Sequence, residues 1–250
     1  MLAIGLLAGC QKTISPGTEP VNSDSGTIKL TFRNQVGNTP LVLNTATYNN
    51  PFGESFTINK FKYYISNVKL GLSGVPTIAI ETESYHLIDQ GLPASLSFSF
   101  PVAEGKFISL LFLVGVDSTR NVSGAQTGAL DPLNDMFWTW NSGYIMAKLE
   151  GTSPQSNQAG NKIEYHIGGF KGANNVLKPV SILLPGGKFI DARKGEVSEI
   201  ILEADLQTWW QGIHDLRIGN SPVITTPGIL AKNMADNYAG MFTITDVINY

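Results

Sequence analysis

The strongest constraint on the fold is a repeated alternation of apolar and polar residues. Ile28, Leu30 and Phe32 alternate with polar neighbours, and the stretch 61–65 repeats the pattern. A period of two is typical of a half-buried strand, because successive side chains of a strand point to opposite faces. Further strands are predicted over residues 106–116, 136–149, 163–167, 177–184 and 199–204.

The spacers between these stretches are rich in turn-forming residues. The chain of 250 residues contains 26 glycines, and the spacers 71–74, 131–132 and 185–187 combine Gly, Pro, Ser and Asp. Many short strands separated by such turns favour a sandwich over a helical or α/β fold. The sequence therefore predicts an all-β fold, an antiparallel β-sandwich with one or two short helices, and residues 206–212 and 227–238 are the helical candidates.

The first ten residues are predicted to be a lipoprotein signal segment. Residues 1–9 carry no charge and are too few to span a bilayer, which takes about 20 apolar residues. Leu7-Ala8-Gly9-Cys10 matches a lipobox, in which the cysteine is lipidated; the alternative is a buried strand. Residues 11–26 are polar and predict a flexible tether, which leaves 27–250 as one domain. We expect a lipid-anchored protein in the periplasm or at the outer membrane or cell surface.

Charge and motif content exclude several classes of function. The net charge is −3, which gives no basic footprint for nucleic acid. Cys10 is the only cysteine, so neither an internal disulfide nor a cysteine-rich metal cluster is possible. No nucleophile elbow, zinc-protease helix or P-loop motif is present, and the protein is predicted not to be an enzyme. Glu150 and Glu164 are both carboxylates, but nothing in the sequence brings them together.

The stretch around residues 136–140 carries the most unusual chemistry. Trp138 and Trp140 are two residues apart, and Met136 shares their parity. On a strand, all three side chains would leave the same face. Close indoles can carry an oxidising equivalent, and an indole with a thioether can flank a soft cation. The alternative interpretation is that the two indoles pack a sandwich core.

Histidines are the candidate metal ligands. The chain has three, and imidazole is a good ligand for copper or zinc. On a strand, His166 would share its face with Glu164 and Gly168, which is the less apolar face. His86 lies in the stretch 85–89. No two histidines have local ligand spacing, so only the fold could join them, and each can equally be structural.

A calcium site is a further hypothesis. Asp117, Asn121 and Asp131 could gather oxygen ligands, although their spacing is not that of an EF-hand. The alternative is turn chemistry, because Asp-Ser and Asp-Pro both favour turns.

Several blocks of the sequence together resemble the MbnP-like family. They lie at residues 61–67, 115–118, 128–132, 136–144, 148–151 and 165–169. The resemblance implies an exported, often lipid-anchored protein associated with copper, paired with a MauG-like dihaem peroxidase that oxidises a tryptophan to kynurenine. Carried to this chain, it makes Trp138 or Trp140 the oxidised residue, with His166 and His86 as copper ligands.

Two functions follow as predictions. The first is a copper-binding or copper-handling envelope lipoprotein, held to the membrane through its lipid anchor and matured by tryptophan oxidation. The second is a non-metal surface module that binds a carbohydrate or a protein. The second predicts that Trp209 or Trp210 is exposed at a loop, and that the protein has no affinity for copper.

Overall fold

The structure, a computed structural model, describes residues 25–72, 78–124, 126–140 and 143–250. The leader, Cys10 and nearly all of the tether lie outside these residues and stay predictions. The first strand begins at Ser25, two residues before the predicted domain boundary, because Ser25 and Gly26 already pair with a neighbouring strand.

The described residues form two sheets. Five strands make the first sheet: β1 (Ser25–Val36), β2 (Thr39–Pro40), β7 (Ser97–Ala103), β14 (Val197–Asp205) and β16 (Phe242–Ile248). Eleven make the second: β3 (Tyr48–Asn49), β4 (Ser55–Leu72), β5 (Ile78–Ile80), β6 (Tyr85–Asp89), β8 (Gly105–Val114), β9 (Phe137–Trp138), β10 (Gly143–Thr152), β11 (Lys162–Gly168), β12 (Lys178–Leu183), β13 (Ile190–Ala192) and β15 (Val223–Ile224). The described helices are α1 (Ser118–Asn121) and α2 (Ile229–Tyr238).

The predicted all-β sandwich is confirmed, and its strand pairing is mixed. β14 lies beside β1 in parallel, as β15 does beside β11, while the other pairs are antiparallel. Parallel neighbours need a long connection, and the chain between β1 and β14 builds all of the second sheet except β15 on its way. Within the described residues, no helix has the length and apolar content needed to cross a bilayer.

The main core lies between the two sheets. Ile28, Leu30 and Phe32 are buried, as their alternation predicts. The ring of Phe32 meets that of Tyr63 from the second sheet, with centroids 6.2 Å apart in an edge-on arrangement. Burial of such rings is the main source of stability for a sandwich of this kind.

The second sheet is also covered on its other face, which we call the outer face. The cover segment, residues 115–124 and 126–138, lies across it. The Tyr64 hydroxyl donates to the carbonyl of Ala129 at 3.0 Å, and that of Tyr144 to the carbonyl of Leu130 at 2.7 Å. Tyr63 and Tyr64 are adjacent in β4, so they point to opposite faces. Both faces of the second sheet are therefore buried around β4.

Two predicted elements differ from the structure. The predicted strand 136–149 is broken into β9 and β10, because the chain turns at Thr139 and Trp140, directly after β9 ends. The helix predicted over 227–238 is confirmed as α2, whereas 206–212 contains only a short 3₁₀ turn at Leu206–Trp209.

Candidate metal centre on the outer face

Three potential metal ligands meet where β10 pairs with β11. Glu150 lies directly opposite Glu164 across the two strands. His166 Nε2 is 2.8 Å from Glu150 Oε1 and 3.7 Å from Glu164 Oε1. Each residue offers one ligand atom, and the three atoms all lie within 4.8 Å of one another. The three side chains are half-buried, so an ion from solvent can reach them.

The carboxylate of Glu150 is ionised at neutral pH. The hydrogen bond from His166 lowers the pKa of Glu150 to about 2, against the opposing effect of partial burial, and Lys60 lowers the pKa further. An ionised carboxylate only accepts hydrogen bonds, so His166 Nε2 carries the proton in this arrangement. A metal that binds at Nε2 takes the place of that proton, so the hydrogen bond between His166 and Glu150 must break when the ion enters.

Lysines occupy the space around the two carboxylates. Lys60 Nζ lies 3.3 Å from Glu150 Oε2, and Lys162 Nζ lies 2.5 Å from Glu164 Oε2. Lys162 is half-exposed and can turn into solvent when a cation binds. The metal would therefore replace existing ion pairs rather than fill an uncompensated negative site.

A buried lysine joins this group to the cover segment. The side chain of Lys148 is only 1% exposed, and its Nζ lies 3.0 Å from Asp135 Oδ2. Lys148 also donates to the backbone carbonyl of Asp135. Burial opposes ionisation of Asp135, but hydrogen bonds from Lys60 and Lys148 outweigh it and lower the pKa of Asp135 to about 2. Burial in turn lowers the pKa of Lys148.

Trp138 reaches the outer face beside His166. An ideal Cβ placed on Gly168 would lie 2.5 Å from Trp138 Cζ3, so the indole occupies the space that a side chain at position 168 would fill. His166 and Gly168 point to the same face of β11, about 7 Å apart along the strand. The indole of Trp138 therefore lies over the next position of β11 that points to the same face as His166.

The two indoles touch, although the predicted stripe on one strand is wrong. β9 ends at Trp138, and Trp140 lies in the turn that follows. Trp138 is 6% exposed and Trp140 is 64% exposed, with ring centroids 5.3 Å apart at an interplanar angle of 40°. Met136 is fully buried, so the thioether does not join the indoles at the surface.

His86 lies on the opposite face of the second sheet from His166. In the strand register, His86 is paired with Ile65 of β4. His166 is paired with Lys148 of β10, and Lys148 is paired with Lys62 of β4. Positions 62 and 65 of β4 point to opposite faces. The two histidines that the family resemblance pairs are thus not brought together, and one ion cannot contact both.

The surroundings of His86 are those of a packed side chain. Its ring stacks on Phe98, with centroids 3.4 Å apart and an interplanar angle of 4°. Its Nε2 lies 2.9 Å from a carboxylate oxygen of Glu81. His214 pairs with a different carboxylate, and its Nε2 lies 3.2 Å from Asp236 Oδ2.

The three oxygen donors of the calcium hypothesis each act in a turn or cap. Asp117 accepts from the backbone N–H groups of residues 119 and 120, which caps α1. Asn121 Oδ1 accepts from the N–H of Tyr144 at 2.9 Å, and Asp131 Oδ1 from that of Leu133 at 2.9 Å. This geometry matches the turn-chemistry alternative.

A cavity of about 740 Å³ opens beside Trp138. Its aromatic walls are Phe137, Trp138, Tyr144 and Phe170, and Lys171 lies at its edge. Its size is within the range of small-molecule sites. The indole that packs against Gly168 therefore also borders the cavity.

Comparison with known proteins identifies the family. The family model described as MbnP matches residues 25–226 of this chain. The chain belongs to the MbnP family. Its fold is similar to that of the solved structure of MbnP from Methylosinus trichosporium, with a TM-score of 0.53, 14% sequence identity, and coverage of 80% of this chain and 83% of that one. A search of curated proteins finds no match. The MbnP family is associated with methanobactin and copper.

The sequence analysis names Glu150 and Glu164 but assigns neither as a metal ligand and finds nothing that brings them together, whereas the structure pairs them directly. Glu164 shares the parity of His166, so one signal was present. Glu150 joins them only through the pairing of β10 with β11. Residues 153–161 connect the two strands, and their sequence does not indicate the register of that pairing. Asp135 and Lys148 likewise meet only because the cover segment folds back over β10.

Proposed function

We propose that this MbnP-family chain binds copper(II) at Glu150, Glu164 and His166, beside Trp138. The observation that carries the proposal is that these three side chains offer ligand atoms within 4.8 Å of one another on an accessible face. Imidazole and carboxylate oxygens suit divalent copper, whereas monovalent copper prefers sulfur.

The sulfur ligands near the site are already used or buried. Met136 and Met146 are both fully buried. The sulfur of Met146 accepts the N–H of Val116 at 3.2 Å, so it is engaged within the fold. The donor set that remains at the surface favours copper(II) over copper(I) and also fits zinc, which the experiment below must separate.

We further propose, from the family resemblance, that Trp138 is oxidised to kynurenine by a MauG-like dihaem peroxidase. Trp138 packs against Gly168, the next residue of β11 that points to the same face as His166. This position supports Trp138, rather than Trp140, as the oxidised residue. A new carbonyl and amine there would lie next to the ligand group. Lipidation at Cys10 and a place in the envelope are part of the same proposal, and they rest on the lipobox.

The experiment is titration of the purified protein with Cu(II), followed by calorimetry and electron paramagnetic resonance. One copper per chain is expected, with nitrogen hyperfine coupling from one imidazole. His166→Ala should abolish that coupling and weaken binding, and Glu150→Gln should weaken binding with the coupling kept.

Two matched controls make the result specific. His86→Ala and His214→Ala each remove an imidazole outside the site, so both should bind copper like the wild type. If His86→Ala or His214→Ala removes the nitrogen coupling while His166→Ala keeps it, the proposed ligand set is wrong. Competition with Zn(II) tests the choice of metal, and a protein that binds Zn(II) tightly and Cu(II) weakly would contradict the copper assignment.

The cavity beside Trp138 favours one second candidate, a module that binds a small ligand. The sequence-based prediction for such a module, that Trp209 or Trp210 is exposed at a loop, is wrong, because both side chains are fully buried. The aromatic walls around Trp138 supply a different platform on which a sugar ring could stack. Thermal-shift measurements with an oligosaccharide panel test it: a ligand that stabilises the wild type but not Trp138→Leu would support this candidate.

A further inference from the structure

Trp140 is a large aromatic side chain that the fold leaves at the surface. It lies in a turn, is 64% exposed, and leaves most of its apolar surface in water. Its ring contact is with Trp138, which is 6% exposed. A pair of touching indoles, one at the surface and one inside, forms a short path for an electron.

We propose that Trp140 is a surface relay for the oxidation of Trp138. This inference rests on the proposed function, in which Trp138 is the oxidised residue. It adds the route: an oxidant too large to enter the cavity takes electrons from Trp140, and Trp138 replaces them. The oxidant belongs to the class of bulky one-electron acceptors, such as a high-valent haem enclosed in another protein.

The geometry supports this direction of transfer. The ring centroids lie 5.3 Å apart, which brings the two π systems into contact with no side chain between them. The broad exposure of Trp140 offers a contact surface to a macromolecule, while Trp138 is 6% exposed and borders the cavity. Electron transfer through contact is fast, so Trp140 need not be permanently changed.

The electrons and atoms balance in two identical rounds. In each round the oxidant accepts one electron from Trp140, and Trp138 then gives one electron to Trp140, which returns to neutral indole. After two rounds Trp138 has lost two electrons, and addition of one water molecule with release of two protons to solvent gives a hydroxytryptophan, which is the first oxidation product and still needs further oxidation to become kynurenine. Two oxidant molecules are reduced. The cavity beside Trp138 provides the access for water.

The alternative is that Trp140 only shields Trp138, against which its ring packs. Shielding predicts that removal of the indole exposes Trp138 and increases its oxidation. A relay predicts the reverse for a bulky oxidant. The two roles therefore change the yield in opposite directions.

The test compares two oxidants on the purified full chain. Photo-oxidised ruthenium tris-bipyridine is the bulky oxidant, and the azide radical is the small one that enters the cavity. Oxygen incorporation at each tryptophan is measured by peptide mapping, in the wild type, Trp140→Phe and Trp140→Tyr. Trp209 and Trp210, both fully buried, are internal references in every sample.

With the bulky oxidant, Trp140→Phe should lose most of the oxygen incorporation at Trp138, and Trp140→Tyr should keep part of it because a phenol can also be oxidised. With the azide radical, Trp140→Phe should match the wild type, which also shows that the variant is folded around Trp138. Undiminished or increased oxidation of Trp138 by the ruthenium oxidant in Trp140→Phe overturns the relay. If wild-type Trp138 takes up no oxygen from either oxidant, the proposed oxidation itself fails, and the two failures are distinct.

Discussion

Gly168 sets how closely Trp138 can approach the sheet, so Gly168→Ala tests the geometry of the site directly. The added Cβ would lie 2.5 Å from Cζ3 and 2.6 Å from Cη2 of Trp138. Non-bonded carbons rest at about 3.5–4.0 Å, so the indole must move outward by roughly 1 Å or more. The backbone at Gly168 is not in the left-handed region, so alanine adds no strain of its own.

The net cost follows from two opposing effects. Overpacking of a well-packed site costs about 1–3 kcal/mol. The smaller conformational freedom of alanine in the unfolded chain returns about 0.4–1 kcal/mol. We expect a loss of about 1–2 kcal/mol in the free energy of unfolding, which lowers the melting temperature by roughly 2–8 °C for a chain of this size.

Urea unfolding gives the stability, and acrylamide quenching of tryptophan fluorescence gives the exposure of the moved indole. Gly228→Ala is the matched control, because a Cβ there meets nothing within 4 Å and its backbone is extended. The reasoning is refuted if Gly168→Ala is as stable as Gly228→Ala and its fluorescence is quenched no more than that of the wild type.

Further predictions concern the charges and His86. Because the pKa of Glu150 is held at about 2 in the folded protein, below its ordinary value near 4.5, its ion pairs stabilise the fold above about pH 4.5, and that stability is lost as the pH falls towards 2. This contribution has an upper limit of about 3 kcal/mol, and solvent screening reduces it because 27% of the side chain is exposed. The free energy of unfolding, measured with urea across this pH range, should depend less on pH in Glu150→Gln than in the wild type. The same pH dependence in both proteins would contradict the assignment. Asp135→Ala should lower the free energy of unfolding by about 1–3 kcal/mol because it removes the main partner of the buried Lys148, whereas Lys148→Met should lower it by less than about 1 kcal/mol. A larger loss in Lys148→Met than in Asp135→Ala, measured by chemical unfolding, would contradict this prediction. His86→Ala should cost about 1–2 kcal/mol through the lost stacking on Phe98, and a calorimetric change in its copper affinity would count against a structural role for His86.

Local patterns in the sequence account for the long strands. The alternation at residues 28–32 identifies β1, since one of its faces is buried and the other is polar. Strands of two or three residues, such as β2 and β15, form only because a partner strand lies beside them, so no local pattern indicates them. The parallel pairing of β1 with β14 likewise depends on the route of the whole chain.

The site was predicted in part for a similar reason. The parity of His166 and Glu164 within β11 is a local property, and the structure has both on the same face. Glu150 enters through strand register, and Trp138 enters through the cover segment, which are both long-range. The parity argument for Trp138 and Trp140 was wrong because it assumed a strand where the chain turns, although the two rings meet by another route.

The parallel pairing of β1 with β14 also bears on the order of folding. Thr27 lies beside Val197, so the first strand of the domain must wait for a partner that follows most of the chain. Closing such a long loop is entropically costly, and contacts of high sequence separation slow folding. We expect the hairpin of β10 and β11 to form early and the first sheet to close last. Stopped-flow refolding with substitutions in each sheet measures this order, and a first sheet that forms before the hairpin would contradict it.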